Sequence, residues 1–169
     1  MSELITRLIR TTMNIALLKQ GPQDMPPGTA ALMLAVSFYV AAVCLSFSLG
    51  RVPDHALATV LLGISLPAIS TAIVLWVCQR SQRWPQTLAA LFASGGLLTL
   101  LSIPLSAGSS AQPGLLAALA GLTIFVWSFA IDAHIWRHAL DVSFAVGLAV
   151  AAILFFVSIY FISTIAGTL

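Results

Sequence analysis

Charge is what this sequence has least of. Asp, Glu, Lys and Arg make up 7% of its 169 residues and hydrophobic residues 60%, whereas a soluble domain carries roughly a quarter charged residues. A chain of this composition cannot cover itself with a polar surface, which excludes a soluble globular domain and points to an integral membrane protein. Cysteine is nearly absent as well. Cys44 lies inside one apolar run and Cys78 ends the next, with no CxxC or Cys/His spacing, so neither a disulfide framework nor a zinc site is indicated. The net charge of +2 and the scatter of basic residues at segment ends provide no stripe for nucleic acid. No GxSxG, P-loop, GxGxxG or HExxH pattern occurs, and no acid stands behind a histidine to orient it for a serine nucleophile. These absences predict a non-enzymatic protein without a cofactor.

What is present begins with a helix that is not a span. Over residues 1–20, Glu3, Arg7, Arg10 and Asn14 recur at three- and four-residue spacing, while Leu4, Ile5, Leu8, Ile9, Ile15 and Ala16 spread over the other side. That pattern predicts an amphipathic helix. Arg7, Arg10 and Lys19 suit anionic head groups and an interfacial position as anchors, and the same pattern would serve a helix docked on its own bundle or on a partner. The opening does not read as a cleavable leader, because no small-residue cleavage site follows the first apolar run and that run is long enough to span. Residues 21–28, rich in Pro and Gly, end the helix as a linker. Residues 29–169 are expected to form the membrane domain. Its five apolar runs, 29–49, 56–78, 86–105, 113–131 and 142–165, each approach the roughly 20 residues needed to cross about 30 Å of hydrocarbon. The expected fold is therefore all-α: five transmembrane helices preceded by an amphipathic interfacial helix.

Placing the N-terminus inside puts Arg7, Arg10, Lys19, Arg80, Arg83 and Arg137 on the cytoplasmic side and Arg51 alone outside, while the connection 106–112 has no charge. This is the positive-inside pattern of a bacterial inner (plasma) membrane, with the C-terminus outside. Trp76, Trp84 and Trp136 fall at the cytoplasmic boundary, where indoles anchor. The five runs contain Ser and Thr but no ionisable group near their middles, and those hydroxyls can bond to their own preceding turn. Small residues offer packing faces: Ser143, Gly147 and Ala151 in the last run, Gly114, Ala118 and Gly121 in the fourth, and Gly95-Gly96 in the third. Pro67 is expected to kink the second run or free a carbonyl.

The one gathering of ionisable side chains is 132–141. On a continuous helix His134, His138 and Asp141 share a narrow face, the spacing by which two imidazoles and a carboxylate converge on a divalent metal. Arg137 competes for Asp141 four residues on, and no fourth ligand is apparent. The stretch also reads as a hydrated interfacial connection in which Trp136 and Arg137 sit at the head groups and Asp132 or Asp141 caps a helix. A further reading is a partner-docking epitope made of Asp132, His134, Trp136, Arg137, His138 and Asp141.

A helix, a proline-rich linker and five spans with the C-terminus outside resemble the Yip1 family of small multi-pass proteins. The family's Asp-Leu-Tyr-Gly-Pro tract and its Gly-Tyr-centred tract have no counterpart in this chain, so no functional residue carries over. The resemblance implies a non-enzymatic membrane protein that works through partners. The expectation is a scaffold, assembly factor or accessory subunit, in contact with the lipid bilayer and other membrane subunits. The alternative is a small transporter or channel for an uncharged or lipid-like substrate.

Overall fold

The computed structural model describes residues 2–50, 52–107 and 114–166. All regular structure among them is helical: α1 (Ser2–Ala16), α2 (Thr29–Leu49), α3 (Ala56–Val77), α4 (Trp84–Ala107), α5 (Leu115–Leu140) and α6 (Phe144–Ala166), with 3-10 turns at Pro22–Asp24 and Ser81–Arg83. The helices α2 to α6 are each long and apolar enough to cross a membrane, as a multi-pass protein requires. Arg51 and most of the uncharged connection expected at 106–112 lie outside the described residues.

Helix α4 is the most buried of the five and packs against α2, α3 and α5, while α6 packs against α5 and α3. Helices α3, α4, α5 and α6 thus form a ring, with α2 outside α4. Two glycine positions set the close approaches. A Cβ at Gly96 would stand 3.2 Å from the Tyr39 Cα and 2.8 Å from the Phe38 ring, so only glycine lets α2 lie this close, as the Gly95-Gly96 pair leads one to expect. A Cβ at Gly147 would fall 2.4 Å from the Ala133 carbonyl oxygen and 2.9 Å from the Arg137 nitrogen, which makes Gly147 the crossing point of α5 and α6. Gly114 and Gly121, by contrast, meet nothing within 4 Å.

At one end of the bundle the C-termini of α1, α3 and α5 each close with a non-glycine residue in the left-handed region: Leu18 (φ 58°), Gln79 (φ 56°) and Asp141 (φ 55°). The following amides of Lys19, Arg80 and Val142 bond back to Asn14, Leu75 and Arg137, which satisfies carbonyls that a helix end otherwise leaves orphaned. Helix α1 buries Leu8, Thr11, Thr12 and Ile15 against the bundle, the i, i+3, i+4, i+7 spacing of one helical face. Arg7 and Arg10 are exposed, as are Ile5, Ile9 and Met13. The Pro/Gly segment is a docked strap: Met25 is buried and Gln86 of α4 donates to its carbonyl at 3.1 Å.

Candidate functional site

Helix α5 runs unbroken to Leu140, and only Asp141–Ser143 separate it from α6. This corrects the expected end of the fourth span at Ile131 and the reading of 132–141 as a hydrated connection. A single Asp interrupts the apolar run without costing the helix a backbone hydrogen bond, so hydropathy drops while the helix continues.

Being helical, the stretch distributes its side chains over separate surroundings. Ile131 and Ile135 pack in the core shared with α1, α2 and α4. Beside them, His134 is buried with Nε2 3.0 Å from the Gln20 carbonyl; a carbonyl only accepts, so Nε2 carries the proton and donates. Trp127 Nε1 donates to the Ala16 carbonyl at 3.0 Å, and together the two side chains tie down the end of α1. The His138 ring stands edge-on to His134 with centroids 4.5 Å apart. Arg137 is exposed.

The expected Arg137–Asp141 pair does not form. Asp141 sits in the left-handed cap, where its carboxylate accepts from Arg80 and lies 3.0 Å from Arg83 Nη1. Arg83 Nη1 also donates to the carbonyls of His138 (3.0 Å) and Ala139 (3.1 Å). Local dehydration pulls the Asp141 carboxyl upward. The Arg80 hydrogen bond and the Arg83 and Arg80 charges outweigh it and hold the group below the usual carboxylate range. Two guanidiniums on Asp141 take it from the proposed metal trio, and no group of three His, Cys, Asp or Glu gathers among the described residues. Of the indole anchors, Trp76 is exposed, whereas Trp84 is half-buried and donates to the Ala68 carbonyl at 3.0 Å.

The remaining face of α5 carries Ser128, Asp132 and Trp136 at i, i+4 and i+8, and all three line a partly open cavity of about 430 Å³ inside the ring. The lining on α3 is centred on Pro67, on α4 on Gly95 and on α6 on Phe155, close to the midpoint of each helix. The cavity therefore spans the middle of α3, α4 and α6 and, on α5, reaches into the C-terminal half of the helix, where Asp132 stands. No ionisable group was expected near the middle of a run, and Asp132, just past the expected end at Ile131, is nevertheless enclosed by the spans. Asp132 lies deep among the helices, its uncovered surface facing the cavity. It has no hydrogen bond or ion pair among the described residues, and no Lys, Arg or His is among the lining residues.

Around Asp132 the wall mixes hydroxyls with aromatic rings. Ser70, Thr99 and Ser128 direct their protons to the carbonyls of Pro67, Gly95 and Phe125 on their own helices and keep lone pairs for the cavity. Thr71 is buried, and its hydroxyl has no partner. Tyr39 reaches in from α2: its ring passes over Gly95 and its hydroxyl lies beside Gly63 of α3. Phe92, Trp136 and Phe155 complete the aromatic part of the wall.

Sequence reasoning names Asp132 and Trp136 but assigns them to the surface, and it misses Tyr39, Thr71 and the role of Ser128. The i, i+4, i+8 spacing of Ser128, Asp132 and Trp136 was the available signal once the helix is extended past Ile131. No family model, curated protein or solved structure matches the chain.

Proposed function

We propose that this chain is a non-enzymatic membrane protein that binds a small molecule in its mid-bundle cavity, as a carrier or channel does. The observation that carries this reading is the Asp132 carboxyl, unpartnered among the described residues and facing a cavity whose described lining holds no other charged side chain. Ionisable groups at membrane depth are expensive and are retained where they face a substrate or ion pathway. The cavity volume also falls within the roughly 300–1,000 Å³ of small-molecule sites.

In this reading the chain sits in a bacterial plasma membrane with its N-terminus cytoplasmic and its C-terminus outside. Helix α1 acts as an amphipathic element in the head-group layer, with Arg7, Arg10 and Lys19 toward anionic lipid and Trp76 as a further anchor. The Yip1-like layout remains an architectural resemblance.

Photolabelling with a small diazirine-bearing alcohol, followed by peptide mass spectrometry, tests the reading. Labels at Asp132 and Tyr39 that disappear when Ser158→Trp fills the cavity are the expected result. Labels confined to lipid-facing residues such as Leu116 and Leu119, unchanged by Ser158→Trp, would overturn it.

A second reading, an accessory or scaffold subunit of a larger membrane complex, rests on a different observation. The Gly114–Gly121 face of α5 is open, beside exposed Leu115 and Leu122, and small residues at a helix surface are what transmembrane partners pack against. Purification in mild detergent discriminates: a defined co-purifying membrane protein supports it, and a solitary stable monomer counts against it.

A further inference from the structure

Within the cavity reading above, on which this step rests, we propose that Asp132 anchors a small organic cation, an amine or quaternary ammonium on an apolar body. The argument starts from charge. A buried carboxylate needs a counter-charge or several hydrogen bonds, and Asp132 has neither among the described residues. The basic side chains at the nearby end of the bundle are committed elsewhere or turned outward: Arg80 and Arg83 hold Asp141, His134 donates to the Gln20 carbonyl with the His138 ring against it, and Lys19 and Arg137 are exposed. The missing positive charge is therefore the natural contribution of a ligand. An anionic ligand would meet Asp132 with like charge and no compensating donor.

The wall then separates an organic cation from a metal ion. A hard metal ion requires a tight shell of oxygen ligands, six to eight for Ca²⁺ and octahedral geometry for Mg²⁺. Here one carboxylate stands in a space of about 430 Å³ whose surface is mostly apolar, too wide and too dry for such a shell. An organic ammonium matches it on both counts. Its charge pairs with Asp132, and its carbon skeleton covers Leu66, Leu91 and Leu154. The faces and edges of Tyr39, Phe92, Trp136 and Phe155 stand around the same space, which is the environment in which aromatic rings stabilise quaternary ammonium groups. The lone pairs of Ser128 and Ser70 provide acceptors for the N–H groups of a primary amine.

The test uses two probes of equal shape and different charge, radiolabelled benzyltrimethylammonium and its neutral carbon isostere neopentylbenzene. Each is equilibrated with the full chain in zwitterionic nanodiscs, with empty discs as the blank. Saturable binding of the cation by wild type is expected, weakened about tenfold or more in Asp132→Asn and retained in Asp132→Glu, with neopentylbenzene binding changed less than about twofold by either substitution. Because Asp132→Asn is nearly isosteric, and Asp132→Glu reports any failure to fold, a general collapse is recognised by loss of the neutral probe as well. If wild type takes up neither probe above empty discs, the cavity reading itself fails. If it takes up neopentylbenzene but not the cation, or if Asp132→Asn binds the cation as tightly as wild type, the cavity reading stands and the assignment of Asp132 is overturned.

Discussion

At its end α5 presents Asp141 to Arg80 and Arg83; inside the bundle the same helix holds Asp132 against a cavity without a cation or hydrogen bond among the described residues. The chain has arginines to spare at that end and uses them on an exposed carboxylate and on the orphaned carbonyls of α5, while none enters the cavity. The contrast separates two uses of a rare charge. Asp141 belongs to the clasp that closes α5, joins it to the start of α4 and lets the chain turn into α6. Asp132 has no partner visible among the described residues, and it is the group on which the proposed binding role rests.

The substitution expected to do most damage removes the support that both aspartates share. Gly147→Leu forces a side chain into the Ala133 carbonyl and the Arg137 amide. It should cost about 3 kcal/mol, the upper end for overpacking, seen as a large drop in the thermal midpoint of the detergent-solubilised protein together with loss of cavity photolabelling. His134→Ala should cost about 2 kcal/mol, through a lost hydrogen bond and an unsatisfied Gln20 carbonyl. Its signature is faster amide exchange confined to residues 2–28, with the clasp and the cavity unchanged.

Arg83→Ala comes next, at about 1 kcal/mol, since a partly exposed guanidinium is screened by solvent. It should open amide exchange around 138–142 and leave cavity binding intact. Asp141→Asn is a smaller loss still, and its pH dependence identifies it. The folded carboxyl titrates below its unfolded value of about 3.9, so the Asp141 contribution is fully present above that value and lost as pH falls through the folded one. Wild type and Asp141→Asn should differ in thermal midpoint at pH 7 and converge in acid.

Five apolar runs were enough to read out five helices of spanning length, because bilayer thickness leaves little freedom in element length. The close approaches at Gly95-Gly96 and at Gly147 were legible in part from small residues. Hydropathy misplaced the end of α5, because Asp132 lowers a sliding average without disturbing an i→i−4 ladder. The cavity was not legible. Asp132, Thr71 and Tyr39 come from three helices, and a sequence of serines and threonines looks the same whether its hydroxyls pack or line a space. The Arg80–Asp141 contact was missed for a related reason: the competing Arg137 is nearer in sequence but points outward, while Arg80 and Arg83 arrive through the Ser81–Arg83 turn.

The most direct measurement is the thermal midpoint of wild type and Asp132→Asn in zwitterionic nanodiscs, each with and without benzyltrimethylammonium. Without ligand, Asp132→Asn should melt no lower than wild type, because an unpartnered buried carboxylate contributes no stability. With ligand at about 100 times its Kd, wild type should gain about 2.7 kcal/mol and the variant little. A variant that melts well below wild type without ligand, and an equal ligand response in both proteins, would contradict the account.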